Sequence, residues 1–206
     1  MPDDVTLDPF TPIDPALLQT PRLRLRQWTP ADRAPFAALN ADPAVMEHFP
    51  APLGHAESDA MADRIEALIG ERGWGFWAAE HRSGEPGAPG RFMGFVGLHR
   101  PAAALPFGPC VEIGWRLARP FWGQGLATEA AELALRAGFE VLGLDDIVAF
   151  TALPNQRSRA VMQRLGMQES PTDAFEHPGV PAGHPLRAHC LYRLTRAAWR
   201  ARTAGL

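Results

Sequence analysis

The run Arg119-Pro-Phe-Trp-Gly-Gln-Gly-Leu-Ala-Thr-Glu-Ala130 decides how this chain folds. Before it, over residues 110–117, Val111, Ile113, Trp115 and Leu117 alternate with Glu112, Gly114 and Arg116. That is the two-residue period of a strand with two different faces. After it, over 124–142, Leu126, Ala130, Leu133, Ala134, Ala137 and Val141 recur at helical spacing, opposite a wet stripe of Glu129, Glu132, Arg136 and Glu140. Between the two, Gly123 and Gly125 permit positive φ and close approach of the main chain to a ligand, and the small Ala127 leaves room for the same approach. A strand, glycine turn and helix joined in this way aim several unpaired backbone N–H groups, and the positive end of a helix dipole, at one spot. The result is an anion site made of main chain, suited to a phosphate or pyrophosphate.

Downstream, residues 146–152 read as a buried strand, and Asn155 caps a helix that Gly166 closes. A long Pro/Gly/His-rich loop over 170–187 precedes a last strand, 189–194. Upstream, 20–28 alternates Leu23 and Leu25 with Arg22, Arg24 and Arg26, a strand with one wet face. Thr29 and Pro30 start a helix reaching about residue 40, and a second helix spans roughly 56–72. Strands at 74–81 and 92–99 flank a turn-rich loop, 83–90, and another loop covers 101–109. Hairpin-linked strands in the first half and a strand–helix–strand unit in the second imply an α/β (α+β) fold. Its central sheet is mixed, mostly antiparallel, with helices on both faces. One domain over 20–195 is expected, with an N-terminal arm, 1–19, and a surface helical tail, 196–206.

Composition excludes several alternatives. A net charge of −3 lacks the basic excess expected for nucleic-acid binding, and no apolar run approaches a membrane span. The acidic opening Met1-Pro-Asp-Asp-Val-Thr has no signal-peptide pattern, and Cys110 and Cys190 make neither a disulfide framework nor a metal spacing. A cytoplasmic protein with reduced thiols is expected. All 20 basic residues are arginine, which removes the P-loop lysine and Schiff-base chemistry. The Ala-, Gly- and Pro-rich, lysine-free composition fits a GC-rich bacterial genome. A dinucleotide fingerprint would want glycine or alanine at Thr128 and an acid closing the next strand, whereas Asp145 and Asp146 open it. His177, His184 and His189 match no metal template, so no metal is expected.

Trp122-Gly-Gln-Gly-Leu-Ala127 resembles the acyl-CoA-binding turn of the GNAT N-acetyltransferases. The wider pattern is similar to the RimJ/RimL-like branch over roughly residues 20–195. It comprises Thr20-Pro-Arg-Leu-Arg-Leu-Arg26, Gly94-Phe-Val-Gly-Leu98, Val111-Glu-Ile-Gly-Trp-Arg-Leu117, Asn155-Gln-Arg-Ser158 and Leu165-Gly-Met167. Trp122 stands where the general pattern has Arg or Gln, so backbone amides must do more of the pyrophosphate binding.

The resemblance implies acetyl transfer from acetyl-CoA to a primary amine, either a protein N-terminus or a small molecule, in a monomer or homodimer. The cosubstrate would lie along Trp115, Arg116 and Leu117, the turn from Trp122 through Gly123, Gln124, Gly125, Leu126 and Ala127 to Thr128, and Asn155, Arg157 and Ser158. Arg119 and Arg159 are near enough in sequence to meet its phosphates as well, or to be solvated charges.

Glu112 is the candidate base, since amine attack needs a neutral nitrogen; the alternative is a sheet carboxylate paired with Arg116 or another arginine. Ser158 is the candidate acid for the departing thiolate, or only a hydrogen bond to its sulfur, while Asn155 also caps its helix. His177 or Glu176, in the loop folded over the sheet, could serve as base instead. Trp28, His99, His177 and His184, with Phe49 and Trp74, are candidates for the acceptor pocket. A non-catalytic acyl-CoA-binding regulator would keep the glycine turn but need neither Glu112 nor Ser158.

Overall fold

The computed structural model describes residues 10–82, 90–101 and 105–204. Half of the expected arm, most of the 83–90 loop, part of the 101–109 loop and residues 205–206 lie outside the described residues. In chain order the elements are β1 (Leu23–Arg26), α1 (Arg33–Ala41), α2 (His55–Arg72), β2 (Phe76–His81), β3 (Arg91–His99), β4 (Glu112–Leu117) and α3 (Leu126–Arg136). Then follow β5 (Asp146–Ala152), α4 (Gln156–Arg164), β6 (Gln168–Glu169), β7 (Phe175–Glu176), β8 (Ala188–Thr195) and α5 (Arg196–Thr203).

One eight-stranded sheet runs β1-β2-β3-β4-β5-β8-β6, with β7 also on β8. Its pairs are antiparallel except β4 with β5. That parallel pair has one register partnership, Glu112 opposite Val148, closed by the Val148 amide donating to the Val111 carbonyl at 3.0 Å. Beyond it the two strands part in the middle of the sheet.

Helices cover both faces. On one, α1 and α2 lie against β3 and β2, and Phe36 of α1 meets Phe95 edge-on at 6.1 Å. On the other, α3 crosses β3 and β4, driven by the apolar stripe Leu126, Ala130, Leu133, Ala134 and Ala137, all buried. Its neighbour α4 buries Met162. Burial of some forty apolar side chains in one continuous core is the main force holding the layers together.

Two expectations need correction and a third is refined. Val141 was expected on the buried stripe of α3 but is 36% exposed. The helix passes into a π-turn, Ala137–Val141, whose wider ring shifts the register, so that Phe139 and Leu142 face the core and Val141 does not. Nor is the segment before β1 a free arm: Ile13 and Leu18 are buried, a short 3₁₀ turn at Pro15–Leu18 shapes it, and Arg136 donates to the Leu17 carbonyl. The C-terminal turn expected at the surface is α5, which buries Trp199 in a stack on Phe139, centroids 5.5 Å apart, and clamps Glu132 between two Arg202 nitrogens at 2.6 Å. The 170–187 loop also carries β7, too short to leave a periodic signal.

Candidate active site

The glycine turn forms where the sequence places it. Pro120 starts a 3₁₀ turn, Arg119–Phe121, pinned by the buried Phe121 ring. Gly123 (φ 72°) and Gly125 (φ 76°) then reverse the chain through the left-handed region that side chains disfavour. A Cβ added at Gly123 would meet nothing within 4 Å, so the space above the turn is open to a ligand. The indole N–H of Trp122 donates to the Leu117 carbonyl at 2.6 Å, and the Gln124 amide group to Pro120 O at 2.7 Å. Arg22 holds the far side, bonding Gln124 O at 3.1 Å and pairing with Glu129. Among the described residues the amides of Gly123, Gln124 and Gly125 donate to no backbone carbonyl outside helix and strand ladders. The residues that follow, Leu126, Ala127 and Thr128, add the free first-turn amides of α3.

The three arginines considered for the phosphates separate. Arg119 is bonded to Asp42 at 2.6 Å, and Arg159 to Glu169 and the Tyr192 hydroxyl. Arg157 stays at the turn, its guanidinium 4.7 Å from the Trp122 ring centroid and bonded at 3.4 Å to Glu47, a pair exposed to solvent.

Strand alternation carries the geometry from the turn into the sheet. Because Val111 bonds toward β5, the main-chain groups of Trp115 on β4 and of Phe150 on β5 face the gap where the strands part. The Trp115 amide is thus a free donor just past the last rung. At the mouth of α4, the Asn155 carbonyl oxygen accepts from the Ser158 amide at 3.2 Å, and its amide group donates to Thr151 Oγ1 at 2.9 Å. The Ser158 hydroxyl has no hydrogen-bond partner among the described residues.

Glu112 sits at the single β4–β5 rung and points to the α1/α2 face. Arg116 does not pair with it: its Nη1 donates to Asn40 Oδ1 at 2.6 Å. With no ion pair among the described residues, burial pushes the Glu112 carboxyl up to about 8. The carboxyl leans along the strand, Oε1 lying 3.7 Å from where a Gly114 Cβ would be. That same Cβ would come within 3.0 Å of the Phe76 ring, so glycine is what lets Phe76 lie over the strand. His99, directly across from Glu112, stacks on Phe76 at 5.2 Å; burial, then the Arg72 charge, hold its pKa down.

On the other side of Glu112, past Val148, Phe150 anchors an aromatic group with Phe107, Phe175, His177 and His189. The two imidazoles lie 4.9 Å apart, and burial lowers both pKa values. The loop expected to fold over the sheet does so here, through His177. His184 is not part of this group; its Nδ1 accepts from the Leu186 amide at 3.1 Å and shapes a turn. Glu176 is paired with Arg187 at 2.8 Å and lies exposed, leaving it poorly placed as a base.

Trp28 is core rather than pocket wall. It is buried against Phe36 and Phe92 and donates to Phe76 O at 2.8 Å, steadying Phe76 from below. Trp74 is likewise buried. Asn40, Phe76, Phe107, Phe150 and Phe175 were not singled out from the sequence. Their positions depend on strand register and on loop contacts that no local pattern encodes.

Residues 22–168 match the family described as acetyltransferase (GNAT) domain. Over 158 residues the chain is 30% identical to protein YkkB of Bacillus subtilis, covering 75% of this chain and 87% of that one. A stretch of 88 residues, 43% of this chain, is 36% identical to FsC-acetyl coenzyme A-N(2)-transacetylase of Aspergillus fumigatus but spans only 37% of that protein. The fold matches a GNAT-family acetyltransferase from Bacillus anthracis with a TM-score of 0.70 at 20% identity, over 87% of this chain and 98% of that one. An acetyltransferase from Agrobacterium tumefaciens matches with a TM-score of 0.66 at 25% identity, over 86% and 92%.

Proposed function

The chain belongs to the acetyltransferase (GNAT) family, and from that premise we propose that it moves an acetyl group from acetyl-CoA to a primary amine by direct attack. One observation carries this reading: an open glycine turn and a half-buried carboxylate, without an ion pair among the described residues, lie at the two ends of the same strand, beside the gap between β4 and β5. The residues fit acetyl-CoA. The amides of Gly123 to Thr128 hold its pyrophosphate, with Arg157 alongside, and the gap takes the pantetheine arm, steadied by Asn155. Arg116 adds nothing to this site: its main chain pairs with Phe95 of β3, and its side chain turns toward Asn40.

Glu112 accepts a proton from the incoming ammonium, directly or through one water. The neutral nitrogen attacks the thioester carbonyl, whose oxygen is polarised by the Trp115 amide. The C–N bond forms, the C–S bond breaks, and the second proton shed by the nitrogen ends on the departing thiolate, by way of solvent or of the Ser158 hydroxyl, which gives its own proton to the sulfur and recovers one from the nitrogen. The products are the N-acetyl amine and free coenzyme A. We place the chain in the RimJ/RimL-like branch on the strength of the Trp122-Gly-Gln-Gly-Leu-Ala127 turn and its flanking motifs. A purely regulatory acyl-CoA binder is disfavoured, because it has no use for a desolvated carboxylate kept without a charged partner. The test is thiol release from acetyl-CoA over a panel of small amines and N-terminal peptides. Release that depends on the amine is expected, and binding of acetyl-CoA without release for any amine would favour the regulator.

A further inference from the structure

Arg116 is 9% exposed and is the one charged side chain besides Glu112 that β4 presents on the α1/α2 face. Its guanidinium lies between the Phe49 ring, 4.2 Å from the centroid, and the Phe95 ring, 5.4 Å away. Nη1 is spent on Asn40 Oδ1, and Asn40, fully buried, is locked by its own bond to Ser58 Oγ at 2.9 Å. The remaining edge is unpaired: Nε is buried with no hydrogen-bond partner, and Nη2 has none among the described residues.

Among the described residues no carboxylate supplies the missing charge. The two acids on the segment that carries Phe49 are taken, Asp42 by Arg119 and Glu47 by Arg157. Burial brings the Arg116 pKa down to about 10, which still leaves it charged at neutral pH. A buried cation with Nε sealed and unpartnered is costly unless an anion meets it, and the edge that Nε shares with Nη2 has the spacing of a carboxylate. A neutral ligand would leave that cost in place.

The geometry points to Arg116 as the residue that reads a carboxylate on the acceptor: the substrate is an amine that also carries an acid group, its nitrogen at Glu112 and its carboxylate on the Nε/Nη2 edge. This rests on the transferase reading and narrows its substrate class. Glu112 leans over Gly114 toward Arg116, so the two ends of the acceptor lie along one strand, a few residues apart. Phe49, itself 38% exposed on an irregular segment, covers the guanidinium and is the side chain that yields or closes as the acid enters.

The test compares ω-amino acids, from β-alanine to ε-aminocaproate, each against its own primary amide, by thiol release from acetyl-CoA. For wild type, at least one acid should exceed its amide in kcat/KM by about 30-fold, the worth of charge-assisted hydrogen bonds at a desolvated site. Arg116→Met should collapse that ratio to near one. Arg116→Lys, which keeps the charge but loses the fork, should recover only part of it. The ratio, unlike the rate, does not move if Arg116 merely supports the fold. Should Arg116→Met fail to fold, the wild-type ratio and the Arg116→Lys ratio decide. Acid and amide used equally by wild type, or lowered equally in the variants, would overturn the assignment while leaving the transferase intact. No thiol release with any amine would remove the transferase reading and this one with it.

Discussion

Replacing Glu112 with glutamine keeps the shape of the side chain and removes the proton-accepting role proposed for it, so the pH dependence of the two proteins should differ in a calculable way. Burial sets the Glu112 carboxyl at about 8. Below that pH the wild-type rate rises tenfold per unit as the carboxyl ionises, and above it the rate flattens. The Glu112→Gln enzyme must instead wait for amine that is already neutral, so its rate climbs until the pKa of the amine itself. For an alkyl amine near pKa 10.4 the gap between the two therefore approaches about 250-fold below pH 8 and closes above pH 10. For an α-amine near 7.8 the same arithmetic leaves almost no gap.

A second readout comes from stability. The folded carboxyl holds its proton more tightly than the unfolded chain does, so wild-type stability is full below about pH 4.5 and is lost as pH rises toward 8. Glu112→Gln, which cannot ionise, should be the more stable protein at pH 9, by about 5 kcal/mol at most, and about equal to wild type at pH 4. Steady-state kinetics with one alkyl amine, from pH 6 to 10.5, and denaturant melts at the two extremes provide both measurements. Parallel pH–rate curves for the two proteins would refute Glu112 as the base.

Gly123→Trp fills open space above the turn, so acetyl-CoA affinity should fall at least tenfold while the circular dichroism spectrum stays native; retained affinity would move the site elsewhere. Ser158→Ala should lower kcat by about 10- to 100-fold and leave the KM for acetyl-CoA near normal, and an unchanged kcat would remove Ser158 from the leaving-group step. Arg26 bridges Asp32 and Glu80, both nearly buried, at 2.6–2.8 Å. Arg26→Met strands Asp32 and leaves Glu80 to Arg24 alone, and should cost about 3 kcal/mol in urea melts at pH 7, whereas a loss below 1 kcal/mol would show that Asp32 finds another partner. Burial alone would raise Asp32 and Glu80, but hydrogen bonds from Arg26, with Thr29 and Arg24, outweigh it and hold both low. Their contribution to stability is therefore complete above about pH 4.5 and should fade as a melt series descends below it.

Where neighbouring residues set the outcome, the sequence was enough. The alternation through Val111 to Leu117, the two glycines of the turn and the stripe of α3 gave the strand, the junction and the covered face. The same alternation placed Glu112 and Arg116 on one face, but not whether they touch; that depends on Asn40, delivered by a helix that is adjacent only in the fold. The parting of β4 and β5 was illegible because register between distant strands is set by the whole sheet. The aromatic group around Phe150 draws on three separate segments, and β7 inside it is two residues long. Val141 shows the opposite failure: its period was read correctly for an α-helix, and a π-turn changed the period.

The central claim is that the Gly123–Gly125 turn and the gap beside Trp115 form an acyl-CoA site. Calorimetric titration of the folded protein with acetyl-CoA tests it most directly, run beside Gly123→Trp. Saturable one-to-one binding by wild type, lost in the variant, is the predicted result. No heat of binding in wild-type protein that melts cooperatively would contradict the account and leave the glycine turn as architecture alone.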